Sequence, residues 1–214
     1  MRMLLAILIG AAAAFGQSGS PDNLQPQGLK AERVEYKGRK GIQLTELPGA
    51  QADGGLCLLK GETIKDGTIE VWLSGEPGPG AGMAARGFVG VAFRVQGTGE
   101  KYEAFYLRPT NGRARDQVRR NHSAQYISHP DYHWPRLRKE FPEKYESYVD
   151  LQPGEWTRVR IVVKGRSAEL YVHGAEQPTL IVNDLFMGEA SGGIAFWVGP
   201  GTVAHFADVS VRAQ

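Results

Sequence analysis

The sequence is short of three things. It has a single cysteine, Cys57, in 214 residues, so no disulfide can form within the chain and stability must come from a packed core alone. It carries little net charge, +2 at pH 7, which argues against a nucleic-acid binder with a uniformly basic surface. It also lacks any apolar run of the ~20 residues that a membrane-spanning helix needs. The longest such run, residues 3–15 of "MRMLLAILIGAAAAFGQSGS", is shorter than that.

That run has a different reading. Arg2 precedes it, and small then polar residues follow, which is the layout of a secretory signal peptide. The expectation is a signal peptide over residues 1–16, cut before Gln17 with Ala14 and Gly16 at positions minus three and minus one, or alternatively before Phe15 with Ala12 and Ala14 in those positions. The protein is then secreted or periplasmic. Residues 17–28, "QSGSPDNLQPQG", read as a flexible lead-in, and residues 29–214 as one domain.

What the sequence has is turn chemistry: 28 glycines and 12 prolines. Between the turns lie about eleven short alternating or β-branched runs: "LKAERVEY", "KGIQLTEL", "GGLCLLKG", "GTIEVWLSG", "GFVGVAFRVQ", "KYEAFYLRP", "WTRVRIVVKG", "AELYVHG", "TLIVND", "GGIAFWVG" and "VAHFADVSVR". No stretch carries a convincing helical period. The pattern predicts an all-β fold of two packed antiparallel sheets.

Alternation assigns faces. Val89, Val91, Phe93 and Val95 share one face, as do Val159, Ile161 and Val163, and these are core. On the opposite phase stand Tyr102, Tyr106 and Arg108 of one strand and Trp197 of another. Aromatics and arginine there mark either a second, functional surface or a minor core covered by other segments.

One interval, residues 109–144, is long and aperiodic. It contains "RRNHSAQYISHPDYHWPRLR", with three of the five histidines. Residues 108–139 carry eight cations against two carboxylates, a local balance of +6, so the rest of the chain sums to −4. Its aromatic content argues for an ordered insertion and against disorder.

The runs "GTIEVWLSG", "GFVGVAFRVQGTGEKYEAFYLRP", "YVDLQPGEWTRVRIVVKGRSAELYVHG" and "GGIAFWVGPGTVAHFADVSV" resemble the concanavalin A-like lectin/glucanase superfamily, and within it bacterial laminin-G-like and 3-keto-disaccharide hydrolase-like domains. The resemblance implies a jelly-roll sandwich with a carbohydrate-facing groove on one concave sheet, and "PGEWTRVRI" and "AELYVHG" as paired strands behind it. One departure stands out. Retaining glucanases of this fold carry Glu-x-Asp-x-x-Glu on a strand, which sets two carboxylates ~5 Å apart. No such motif occurs, and Glu103 has Phe105 two residues on.

Acid/base candidates are Glu103, Asp116, His122, His133 and Glu146, each carboxylate with the alternative of an ordinary ion pair to a nearby arginine. Ligand-binding candidates are Tyr106, Arg108 and Trp197 on the outer face and Arg115, Arg119 and Arg120 as cations. Asn111, Asn121 and Gln125 are candidates to bind hydroxyls, and Tyr126, Tyr132 and Trp134 to stack on sugar rings. Trp134 has the alternative role of anchoring the insertion. His122, His129, His133 and Asp131 could ligate a metal, but the spacing is not helical and no His-Glu-x-x-His occurs, so no metal or cofactor is expected. The partner expected is a carbohydrate, with no nucleic acid and no membrane span. A laminin-G-like interaction domain that docks a protein or an acidic polysaccharide is the alternative.

Overall fold

The computed structural model describes residues 23–49 and 54–214. The expected signal peptide and its cleavage sites lie outside the described residues, as do residues 17–22 of the lead-in. Two seven-stranded sheets, with every neighbouring pair antiparallel, make up the fold. The front sheet runs in spatial order β1 (Leu24–Gln27), β4 (Gly55–Ile64), β13 (Gly192–Val198), β6 (Val89–Gln96), β7 (Lys101–Leu107), β8 (Ala124–His129) and β9 (Glu146–Ser147). The back sheet runs β12 (Leu180–Val182), β11 (Ser167–Val172), β10 (Thr157–Lys164), β5 (Gly67–Pro77), β14 (Thr202–Ala213), β3 (Arg39–Glu46) and β2 (Leu29–Tyr36).

All eleven segments with strand character form strands, and β10 and β11 are paired neighbours in the back sheet. The core lies between the sheets, where Phe196 of the front sheet stacks on Phe206 of the back sheet at 4.1 Å. Val89, Val91, Phe93 and Val95 of β6 and Val159, Ile161 and Val163 of β10 are all buried. Apolar burial of this extent, ~25 cal/mol per Å² removed from water, is the main stabilising contribution in a chain with no internal disulfide.

Two expectations need correction. The lead-in is not free along its length, because Leu24–Gln27 pairs with β4 from Leu24↔Leu59 to Gln27↔Leu56. The long insertion is not continuous loop either. It holds a 3-10 turn at Pro109–Asn111, the short helices α1 (Gln117–Asn121) and α2 (Trp134–Glu140), and the whole of β8. At seven residues, α2 spans about two turns. The strand went unread because both of its faces are buried and its polar residues break the apolar alternation. Gln125 and Ser128 are as buried as Tyr126 and Ile127.

The front sheet carries a second aromatic layer on its outer face. Trp197 of β13 and Tyr106 of β7 stack at 4.5 Å between centroids, and Trp197 Nε1 donates to the Tyr102 hydroxyl at 3.2 Å. These strands are not neighbours; β6 runs between them, and its Gly90 is registered with both Trp197 and Tyr106. A glycine leaves the gap across which the two rings meet. A Cβ at Gly90 would lie 2.3 Å from the Phe105 carbonyl oxygen and 2.6 Å from Tyr106 Cβ. Gly90→Ala is therefore expected to destabilise the protein by about 1–3 kcal/mol and to weaken the near-ultraviolet circular dichroism of the Tyr106–Trp197 pair. An unchanged spectrum in a folded variant would contradict this account of the glycine.

Candidate functional site

A pocket of about 1000 Å³ opens over β7, β8 and β13. Its floor is Tyr106, Ile127 and Trp197, with Arg108 just beyond the end of β7. Arg119 and His122 of the α1 segment form one wall, and His133, Trp134 and Arg138 around α2 form another. The third wall is the connection between β5 and β6, where small residues lead into Arg86 and Phe88. Local chemistry sets each wall. Asp116 caps α1 by accepting from the Arg119 amide at 2.7 Å, and Pro135 stands in the first turn of α2, directly after Trp134, where its fixed φ suits the helix and its missing N–H leaves no bond unmade.

Glu146 on β9 organises the charges. Its side chain is 4% exposed and accepts from Arg108 Nη1 at 3.1 Å, Arg138 Nε at 3.0 Å and Arg138 Nη2 at 2.5 Å. His122 Nε2 stands 3.5 Å from the same carboxylate. Burial pushes the Glu146 carboxyl up, but the Arg138 hydrogen bonds and the charges of Arg108, Arg138 and His122 outweigh it and hold the group below its ordinary value. Burial draws the His122 imidazole down against the pull of Glu146. Arg108 also donates to the Tyr106 hydroxyl at 2.8 Å, to Gln125 Oε1 at 2.9 Å and to the His122 carbonyl at 3.0 Å.

The remaining cations are held differently. Arg119 donates through Nε to Asn111 Oδ1 at 2.9 Å and through Nη2 to Thr110, while Asn111 Nδ2 donates to the His122 carbonyl at 3.0 Å. Arg86 donates through Nη1 to the carbonyls of Met83 and Ala85. Burial, then the nearby charges of Arg119 and Arg108, lower the Arg86 guanidinium from its ordinary value.

No family profile and no curated protein sequence matches the chain. Solved structures do. A carbohydrate-binding module of Bacillus subtilis superposes over 89% of this chain and 95% of its own, with a TM-score of 0.61 at 12% identity. A second Bacillus subtilis protein, of unknown function and galectin-like fold, covers 91% of this chain and 92% of its own, with a TM-score of 0.59 at 13% identity. A sialidase matches 87% of this chain through 17% of its own length, with a TM-score of 0.51 at 9% identity. The chain has the concanavalin A-like sandwich fold.

On this concanavalin A-like sandwich, nine of the sequence candidates line the pocket: Tyr106, Arg108, Asn111, Asp116, Arg119, His122, His133, Trp134 and Trp197. Glu146 and Gln125 lie beneath it and hold Arg108, with Gln125 Nε2 donating to the carbonyls of Tyr126 and Tyr145. Glu103 and Tyr126 lie elsewhere. Their side chains are on the inner face of the front sheet, where the Tyr126 hydroxyl donates to Glu103 Oε1 at 2.9 Å and the Met187 amide donates to the same oxygen. Tyr132 stacks on Phe186 at 3.7 Å, Arg120 donates to the Tyr148 hydroxyl, Asn121 accepts from Gln117, and Arg115 is exposed away from the pocket. Trp134 is 44% exposed, so it is not a buried anchor for the insertion, whereas Trp197 at 5% is floor.

The three histidines do not converge. His122 stands with Glu146, while His129 Nδ1 and His133 Nε2 are 3.2 Å apart, and among the described residues no cluster of three potential metal ligands forms. Sequence reasoning missed Arg86, Phe88 and Arg138 as site residues. The one available signal was length: residues 78–88 make a Gly/Ala-rich connection too long for a tight hairpin.

Replacing Glu146 by Gln leaves Arg108 in the buried layer without its counter-charge. The variant is expected to lose about 3 kcal/mol of stability at neutral pH. Because the carboxyl is depressed in the folded protein, its contribution is present above the ordinary value of 4.5 and is lost as pH falls through the depressed one. The difference between the native protein and Glu146→Gln in chemical denaturation should therefore narrow below pH 4.5. A difference that is constant with pH would contradict the assignment.

Proposed function

We propose that the protein is an exported carbohydrate-binding sandwich domain and that the pocket over β7, β8 and β13 is its sugar site. The observation that carries this reading is the half-exposed ring of Trp134 on the pocket wall, above an aromatic floor and beside fixed polar groups. An indole face takes the apolar C–H side of a pyranose, while Asn111, His122 and the arginines meet its hydroxyls. The shared fold with a carbohydrate-binding module supports the reading, and the signal-peptide-like pattern of residues 1–16 supports export.

Binding fits the pocket better than ordinary glycoside hydrolysis. Two-carboxylate catalysis needs a paired acid and base flanking the sugar. Of the three carboxylate candidates, Glu103 is on the inner face, Glu146 is neutralised by two arginines, and Asp116 caps α1. Action in the manner of 3-keto-disaccharide hydrolases would have to rest on His122 or His133 as the base.

A glycan array followed by calorimetry on the best ligand tests the reading. Trp134→Ala is expected to weaken binding by about 1 kcal/mol with stability unchanged within about 0.5 kcal/mol, because the ring is half exposed. Lys164→Ala, exposed at the end of β10 in the back sheet, should bind as the native protein does. Absence of any saccharide binding, or a Lys164 effect as large as that of Trp134, would overturn the proposal.

A further inference from the structure

We infer that the pocket selects a sugar bearing an oxyanion, a uronate carboxylate or a sulfate ester, and that Arg86 and Arg119 grip that group. The inference rests on the reading of the pocket as a sugar site and adds the charge of the ligand. Four guanidiniums line the pocket: Arg86, Arg108, Arg119 and Arg138. Two of them, Arg108 and Arg138, are already matched to one carboxylate, Glu146. The other two are not. Among the described residues Arg86 and Arg119 make no ion pair, and every hydrogen bond they donate from the side chain goes to a neutral oxygen.

The donors left over have a specific layout. A guanidinium has five N–H groups in a planar fork. Arg119 uses Nε and Nη2, which leaves Nη1 without a protein partner among the described residues. Arg86 uses Nη1, which leaves Nε and Nη2, the edge that binds a carboxylate or sulfate through two parallel hydrogen bonds. Neighbouring hydrogen bonds fix both side chains, so little side-chain entropy remains to be lost on binding.

The same side chains bear an electrostatic cost from one another. Arg86 feels the like charges of Arg119 and Arg108, and the one carboxylate that lines the pocket among the described residues, Asp116, spends an oxygen on the α1 cap. An incoming anion relieves that repulsion, whereas a neutral sugar leaves it in place. The ligand is more than an inorganic ion, since a pocket of about 1000 Å³ with Trp134 on its wall has room for a ring beside the charge.

The test compares ligands that differ only in charge. Calorimetry would titrate the protein with oligosaccharides containing galacturonate, glucuronate or mannuronate, with the carboxyl-reduced neutral form of each, and with sulfated oligosaccharides, at low and high salt. An acidic oligosaccharide is expected to bind at least about tenfold more tightly than its neutral form and to weaken at high salt. Arg86→Gln and Arg119→Gln, checked for folding, should each lose about tenfold. Binding by the sulfated series in place of the uronates supports the inference and names sulfate as the source of the anion. Neutral forms that bind as tightly as acidic ones overturn it and leave the sugar-site reading standing. Failure of every saccharide, acidic or neutral, overturns both. The comparison of native protein with paired ligands needs no variant, so a misfolded arginine substitution does not rescue the inference, and folded variants that bind acidic ligands normally refute it.

Discussion

The pocket depends on one buried carboxylate. Glu146 sits on a two-residue strand at the edge of the front sheet, and the side chains that reach it come from three different places: Arg108 after β7, His122 at the end of α1, and Arg138 on α2. Each is distant from Glu146 in structure type and none is held there by local propensity. A buried ion pair does not stabilise a fold by its attraction alone, because removing the charges from water costs about as much as the attraction returns. Its effect here is positional. The carboxylate requires cations with good geometry, and meeting that requirement draws the insertion down onto the outer face of the sheet.

The sheet beneath supplies the platform. Gly90 lets Tyr106 and Trp197 meet across a strand, and the Arg108 guanidinium both donates to the Tyr106 hydroxyl and lies 4.9 Å from its ring centroid. Aromatic floor and charged layer are thus one connected unit. Elsewhere in the same sheet a guanidinium is treated in another way. Arg94, fully buried at a bulge in β6, donates to the carbonyls of Lys65, Gly165 and Gly188 and lies 3.9 Å from Glu103, whose carboxyl burial pushes up. There every donor is turned toward protein. In the pocket, by contrast, Arg86 Nε and Nη2 and Arg119 Nη1 have no protein partner among the described residues.

Much of this was legible in the sequence, for physical reasons that also say where legibility stopped. Alternation marked every strand with one clearly apolar face, and it set Tyr106 and Trp197 on the same side of the front sheet. It missed β8, whose Gln125 looks solvent-facing until Arg108 and two carbonyls are seen to satisfy it. It missed β1, whose pairing with β4 is a long-range event that a Pro/Gly-rich stretch does not announce. Glu103 and Tyr126 were misplaced by attention to their chemistry; with Tyr102 and Tyr106 outward, the same alternation already turned Glu103 inward. Arg86 and Arg138 reach the pocket through segments that fold over the sheet, and no local period encodes such a closure.

The four tryptophans divide the molecule into two faces and so provide the most direct measurement. Trp134 and Trp197 line the pocket. Trp72 lies on β5 of the back sheet, and the Trp156 indole donates to the Tyr36 carbonyl beside it. Titrating 15N-labelled protein with a bound saccharide and following the indole N–H resonances reports on both faces at once. The account predicts that the Trp134 and Trp197 signals move while those of Trp72 and Trp156 stay; movement at Trp72 and Trp156 with Trp134 and Trp197 unperturbed would place the ligand on the wrong sheet and contradict it.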